Sequence, residues 1–408
     1  MTKSGDRFGL PMAAVAYVLA VAMIGTTLQT PLYPIYERAL GFGSFIETVV
    51  FAIYAVGVLV TLILFGRTSD SVGRKPMLLA AVVFAGLAAV TFIAVSFLSG
   101  AAGIGVLLFG RCLSGLSGGL AAGCAAAALT DLAPSGARDR ASLVATMAQM
   151  GGLGLGPLLG GFFAAGFSDP IRAVFVAYLV LVLVAAFAVT SIPKTVTRHG
   201  RISFARVVTP IRIRAVREQA NVTGLTGFMG FAVLGLFSSV SPALLERMGW
   251  HSPIAAGVIV CSVFAASALG QLLTMDLPTR LARLFGLGAL MVGVLVVGAG
   301  MRAESIPLLV GGGLVCGVGQ GMSFKAALAT VTSRAPSVRL GEATAGFFLI
   351  CYLGISVPVL GIGALSGLVG LEGAGEIFAL VTVLLSVFAL VVTGVRGTGS
   401  AHHHHVTS

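Results

Sequence analysis

Charge is scarce in this chain. Only 10% of its 408 residues are Asp, Glu, Lys or Arg, where a water-soluble domain carries about 25%. That shortage excludes a soluble globular protein. Acids are the rarer sign, 14 against 25 bases, and none falls deep inside an apolar run. Histidine is rarer still: apart from a run at 402–405, the chain has only His199 and His251, both in polar connections. No G-x-x-x-x-G-K-[ST] phosphate loop is present, which excludes a pump driven by its own ATP hydrolysis. The five cysteines, Cys112, Cys124, Cys261, Cys316 and Cys351, all lie in apolar runs without C-x-x-C spacing. They read as small buried hydrophobes, not as metal ligands or disulfides. No enzyme, metal site or cofactor is expected from such a set.

Apolar residues are what the chain has. They make up 57% of it, with a mean hydropathy of +1.04. A membrane helix needs about 20 apolar residues. Cutting at charges and Pro/Gly clusters predicts twelve spans: 11–33, 45–65, 77–98, 105–131, 141–165, 173–192, 220–244, 253–275, 283–301, 306–331, 342–365 and 374–395. The fold expected is an all-α membrane protein with twelve transmembrane helices in two pseudo-symmetric six-helix halves. The first 30 residues lack a small-residue cleavage site, so the first span reads as uncleaved. The net charge of +11 could suit nucleic acid, but the bases punctuate apolar segments instead of covering one face. A lipid bilayer is the expected partner, and no nucleic acid is.

The one long connection, 193–219, is basic: it holds Lys194, Arg198, Arg201, Arg206, Arg212, Arg214 and Arg217 against Glu218. It separates a first half, 1–192, from a second, 220–395, with a polar tail at 396–408. Within it, Phe204, Val207, Val208 and Ile211 fit helical spacing. A basic amphipathic helix on an anionic leaflet and a solvated charged linker both fit. Of the 25 bases, Arg111 and Lys325 lie inside spans, and Arg38, Arg172, Arg247 and Arg302 fall on one side of the bilayer. The remaining 19 share the side of both termini. The positive-inside rule makes that side cytoplasmic.

A repeat shows at a shift of 202 residues. Gly110, Gly115, Gly119, Ala125, Thr130, Ala133 and Pro134, around span four, match Gly312, Gly317, Gly321, Ala327, Thr332, Ala335 and Pro336, around span ten. Two repeated six-helix halves point to a transporter with a small-molecule site between them near mid-membrane. A charge inside a span is a functional hypothesis by default, so Arg111 and Lys325 head the candidates. A carbonyl-bonding role for Arg111 and a snorkelling role for Lys325 stay open. Gln29, Tyr33, Tyr54, Gln149, Gln320 and Tyr352 could line a cavity beside them. In span five, Gly152, Gly156 and Gly160 are four apart and form one smooth stripe where another backbone can approach. Pro157 bends that helix, and Gly161 follows.

The hairpin Gly66 to Pro76, GRTSDSVGRKP, carries the most specific pattern. Gly66, Asp70, Gly73, Arg74 and Lys75 stand at G-x-x-x-D-x-x-G-R-[KR], the loop 2–3 signature of the major facilitator superfamily. Arg111 and Gly115 match its span-four R-x-x-x-G. Gly152, Gly156, Pro157, Gly160 and Gly161 match G-x-x-x-G-P-x-x-G-G, the span-five signature of its drug/proton antiporters. PLYPIY, 31–36, looks like the end of span one in drug exporters. The chain thus resembles twelve-span drug/proton antiporters of that superfamily.

The resemblance implies a latch: Asp70 faces the start of span eleven near Glu342 and Ala343, and Arg74 bridges to an acid at the end of span four, here Asp131. It also implies a monomer in the cell inner membrane. Transport would be proton-coupled export, by alternating access, of a small amphipathic or anionic compound; the alternative is an uptake symporter or facilitator for a metabolite. Related antiporters often carry an acid in span one. This chain has none there, which moves proton coupling to Glu47, Glu37 or Asp131. Arg111 would bind substrate or assist proton transfer without titrating itself.

Overall fold

The structure is a computed structural model and describes residues 6–65, 72–134, 138–193, 212–336 and 339–401. Among these every regular element is helical. Spans two to ten are Ser44–Phe65, Arg74–Val95, Gly100–Leu132, Arg138–Gly166, Pro170–Thr190, Val222–Arg247, Pro253–Leu273, Thr279–Arg302 and Ile306–Arg334. Their large apolar side chains turn outward as well as inward: Phe187 and Phe285 are mostly exposed. That is the pattern of helices dissolved in lipid, where each backbone bond closes within its own segment.

The main departures from the boundaries read off the sequence lie at span one and at spans eleven and twelve. Span one does not stop at Tyr33. A helix over Asp6–Thr27 breaks into a 3-10 turn at Thr30–Leu32 and resumes as Tyr33–Leu40. Pro31 and Pro34 cause the break, since neither has an N–H for the preceding turn. The resumed helix ends where Gly41 takes a left-handed conformation and its N–H closes on the Glu37 carbonyl.

Spans eleven and twelve are not joined by a loop. One helical stretch, Leu340–Ala401, runs through both. Its apolar part, Gly341–Gly394, has 54 residues, about twice what a bilayer needs. The stretch is broken at Gly370 (φ 78, ψ 167), a conformation reserved for glycine. The break makes two helices of the stretch, so the described residues hold twelve apolar segments long enough to cross a bilayer. The amphipathic helix anticipated around Phe204–Ile211 lies outside the described residues; the helix seen in the connection is Ile213–Gln219.

The chain forms two compact units. The first is Met1–Arg212 with Ser238–Cys261; the second is Ile213–Phe237 with Ser262–Ser408. The later part of span seven and the earlier part of span eight thus belong with the first unit. Within each unit the repeat governs packing. Gly115 lies against the Tyr54 carbonyl of span two, and its counterpart Gly317 against the Val263 carbonyl of span eight. Gly119 meets Thr61, and Gly321 meets Ser267, again on spans two and eight. Gly110 and Gly312 face Phe92 and Val297, on spans three and nine.

Candidate functional site

The break in span one prepares the site. A helix end leaves its last carbonyls without backbone partners. Two of these, Gly25 and Thr26, are met by side chains. Gln29 Nε2 donates to the Gly25 carbonyl at 3.1 Å, as does Ser114 Oγ at 3.1 Å. Arg111 donates to the Thr26 carbonyl at 2.8 Å and to Gln29 Oε1 at 3.1 Å.

Gly115 and Gly57 let spans two and four approach backbone to backbone. That closeness carries the guanidinium to span two. Its Nε donates to the Val50 carbonyl at 3.0 Å, and a second nitrogen to the Phe51 carbonyl at 3.4 Å. The Tyr54 ring lies 5.1 Å from Arg111 Cζ and the Phe51 ring 5.9 Å, within cation–π range.

Arg111 is 1% exposed, and all these acceptors are neutral. Tyr33 stands within electrostatic reach of both Arg111 and Glu47. Glu47 is 4% exposed, and its buried Oε1 has no hydrogen-bond partner among the described residues. The hydroxyl of buried Tyr36 is likewise unpartnered. Gln29, Tyr33 and Tyr54 thus gather around Arg111. Gln149 is half-buried on span five and makes no hydrogen bond to it.

In the second unit, Ser267 donates to Gln320 Oε1. Gln320 is fully buried, and its Nε2 has no hydrogen-bond partner among the described residues. Tyr352 packs edge-on against Phe231, ring centroids 5.5 Å apart. Lys325 plays a different part. Its Nζ donates to the Gln271 carbonyl at 3.0 Å, in the last turn of span eight, which ends at Leu273. A cation there satisfies an orphan carbonyl and the helix dipole together.

Gly66 and Asp70 of the loop signature lie outside the described residues. Gly73 opens span three at φ 100, where only glycine is at ease. Arg74 Nε lies 3.1 Å from Asp131 Oδ2. Lys75 Nζ donates to the Thr190 and Ile192 carbonyls, each at 2.8 Å, and so caps span six. In span five, a Cβ on Gly152, Gly156 or Gly160 would strike span one at Ala20, Ile24 or Leu28. Gly161 faces the Pro253 carbonyl, and Gly257 of span eight faces that of Pro157. The glycine stripe therefore seats span one, while Pro157 and Gly161 seat the start of span eight.

The profile of the Major Facilitator Superfamily matches residues 15–358. The chain belongs to the major facilitator superfamily. It is a multi-pass membrane transporter, not an enzyme, and members of this superfamily carry small-molecule substrates and typically act as monomers. No curated protein matches it individually. Among solved structures it is similar to a D-xylose-proton symporter, at 16% identity and a TM-score of 0.72, covering 93% of this chain and 96% of that one. The human organic anion transporter MFSD10 (TETRAN) is similar at 17% and 0.67, covering 95% and 100%. A bacterial homologue of the human lysosomal transporter Spinster matches at 14% and 0.68, covering 96% of each. At such identities these likenesses show the fold.

The transporter's site includes groups that residue-type reasoning passes over. The carbonyls of Thr26, Val50 and Phe51 carry no side-chain signal; only the two prolines after Gln29 hint that span one releases acceptors. Phe231 and Phe324, ring centroids 5.5 Å apart, look like ordinary apolar span residues.

The Arg74–Asp131 pair gives the first prediction. Arg74 is 15% and Asp131 45% exposed in their side chains, so the pair should contribute only about 0–1 kcal/mol to stability. Arg74→Asp is expected to leave the melting temperature nearly unchanged but to alter cysteine accessibility on both membrane faces. Adding Asp131→Arg should restore the original pattern. Unaltered accessibility in the single variant would remove the pair from the latch.

Proposed function

We propose that this transporter is a secondary active, proton-coupled exporter of a small amphipathic or anionic compound. It works by alternating access from the cell inner membrane, with both termini cytoplasmic. One observation carries the substrate class: Arg111 is a fully buried cation whose partners are all neutral. An unpaired buried charge is costly, and an anionic group on the substrate would supply the counter-charge. The span-five glycine pattern supports export. Glu47, buried, with its Oε1 free of hydrogen bonds among the described residues and sharing Tyr33 as a neighbour with Arg111, is the carboxyl we assign to the proton.

Proteoliposomes with an imposed pH gradient and a fluorescent anionic amphiphile test this. The wild type is expected to drive the probe against the proton flow. Glu47→Gln is expected to abolish gradient-driven accumulation while substrate exchange at equal pH persists. Accumulation in the same direction as the protons would overturn export, and an unaffected Glu47→Gln would overturn the coupling assignment.

A further inference from the structure

Away from Arg111, the second unit holds a cavity of about 160 Å³ where spans seven and eleven begin and span ten ends. Its walls include Glu218, Asn221, Thr223, Thr330, Arg334 and Arg339. Two arginines, Arg334 and Arg339, stand in its walls, and a third, Arg283, reaches the wall at Thr330. Arg334 forms no ion pair among the described residues. Arg283 donates to the Thr330 hydroxyl on the cavity wall, and its buried Nε has no hydrogen-bond partner among the described residues. Arg339 stands 3.7 Å from Glu218 and 3.5 Å from Glu342, well beyond the 2.7–2.9 Å of a charge-assisted hydrogen bond. Glu218 is held more closely by Arg214, at 2.8 Å. Glu218 is thus the one carboxylate among the lining residues, against two lining arginines, and its shorter contact is turned to Arg214.

We infer that this cavity binds a phosphate group. The guanidinium fork matches phosphate oxygens, and two forks on one space, with the Arg283 cation behind Thr330, suit a multiply charged tetrahedral anion. The volume is well below the roughly 300–1,000 Å³ of a drug-sized pocket, so it takes a single headgroup-sized anion and not the transported amphiphile. It sits at the level where three spans end, where membrane headgroup phosphates lie. A phospholipid headgroup and free phosphate share this chemistry. The site is independent of the transport reading above.

The test uses the full-length transporter, purified in detergent and stripped of lipid. In one arm inorganic phosphate is titrated at constant ionic strength, with chloride as the screening control, and the melting temperature is followed. In the other, phosphatidylglycerol or a phosphate-free diacylglycerol is added and bound lipid is counted by native mass spectrometry. Stabilisation by phosphate identifies the free ion as a ligand; selective retention of phosphatidylglycerol identifies the headgroup. In either arm Arg334→Gln is expected to weaken binding about tenfold or more, as losing a hydrogen bond to a charged group does. Arg334 has no ion pair to lose among the described residues, so this variant should fold even if Arg339→Gln does not. Absence of binding in both arms, or wild-type binding by Arg334→Gln, overturns the site.

Discussion

Arg111→Lys is expected to fold and to lose most transport of an anionic substrate. The charge survives the substitution, but the fork does not. Arg111 reaches Thr26 and Gln29 on span one and Val50 and Phe51 on span two at once. A lysine presents its donors from one point and cannot bridge both helices. Losing one member of a buried charge contact costs about 2–5 kcal/mol of binding, roughly 30-fold or more in affinity. Arg111→Ala should do more. It leaves the Thr26 carbonyl, in the last turn of its helix, short of a donor inside the bundle, at about 1–3 kcal/mol, while the Val50 and Phe51 carbonyls keep their helical donors. The melting temperature should fall with the transport rate. Transport per folded molecule, in proteoliposomes, separates the two roles. A lysine variant that transports at the wild-type rate would reduce Arg111 to a structural clamp.

The second large effect is expected at Gly156. A side chain there meets the Ile24 carbonyl and Thr27 of span one. Backbone cannot give way as a flexible side chain can, so spans one and five must separate. Overpacking in a close-packed interior costs about 1–3 kcal/mol and sometimes more. Gly156→Leu should reach at least the upper end, seen as loss of the monodisperse peak in size-exclusion chromatography. Gly151 is the internal control: it lies in the same helix with open space around it. Gly151→Ala should be neutral or stabilise by up to about 1 kcal/mol, since alanine is the better helix former. Equal behaviour of Gly151 and Gly156 variants would show that the stripe does not seat span one.

Much of this was legible in the chain because it is local. Apolar length counts spans. Four-residue spacing puts Gly152, Gly156 and Gly160 on one face whatever that face meets. The 202-residue repeat marked the glycines of spans four and ten, and the same glycines meet corresponding helices in each unit. Arg74 and Asp131, by contrast, were linked through resemblance to a family and not through spacing. The two site cations also parted: Arg111 sits in a pocket of neutral acceptors, while Lys325 caps span eight.

By itself, then, the sequence determined an all-helical membrane chain of twelve crossings, an internal repeat of glycines in spans four and ten, and which faces are smooth enough for close packing. These follow from hydropathy, length and helical periodicity, which act over a few turns. Tertiary structure alone decided what fills those faces. It set span one against the span-five stripe and Arg111 on the carbonyls freed by the break after Thr27. It also folded spans eleven and twelve about Gly370 without a loop, and gathered Arg283, Arg334 and Arg339 at one cavity. Each of these joins groups through close packing or a single backbone angle, and neither leaves a periodic trace along the chain.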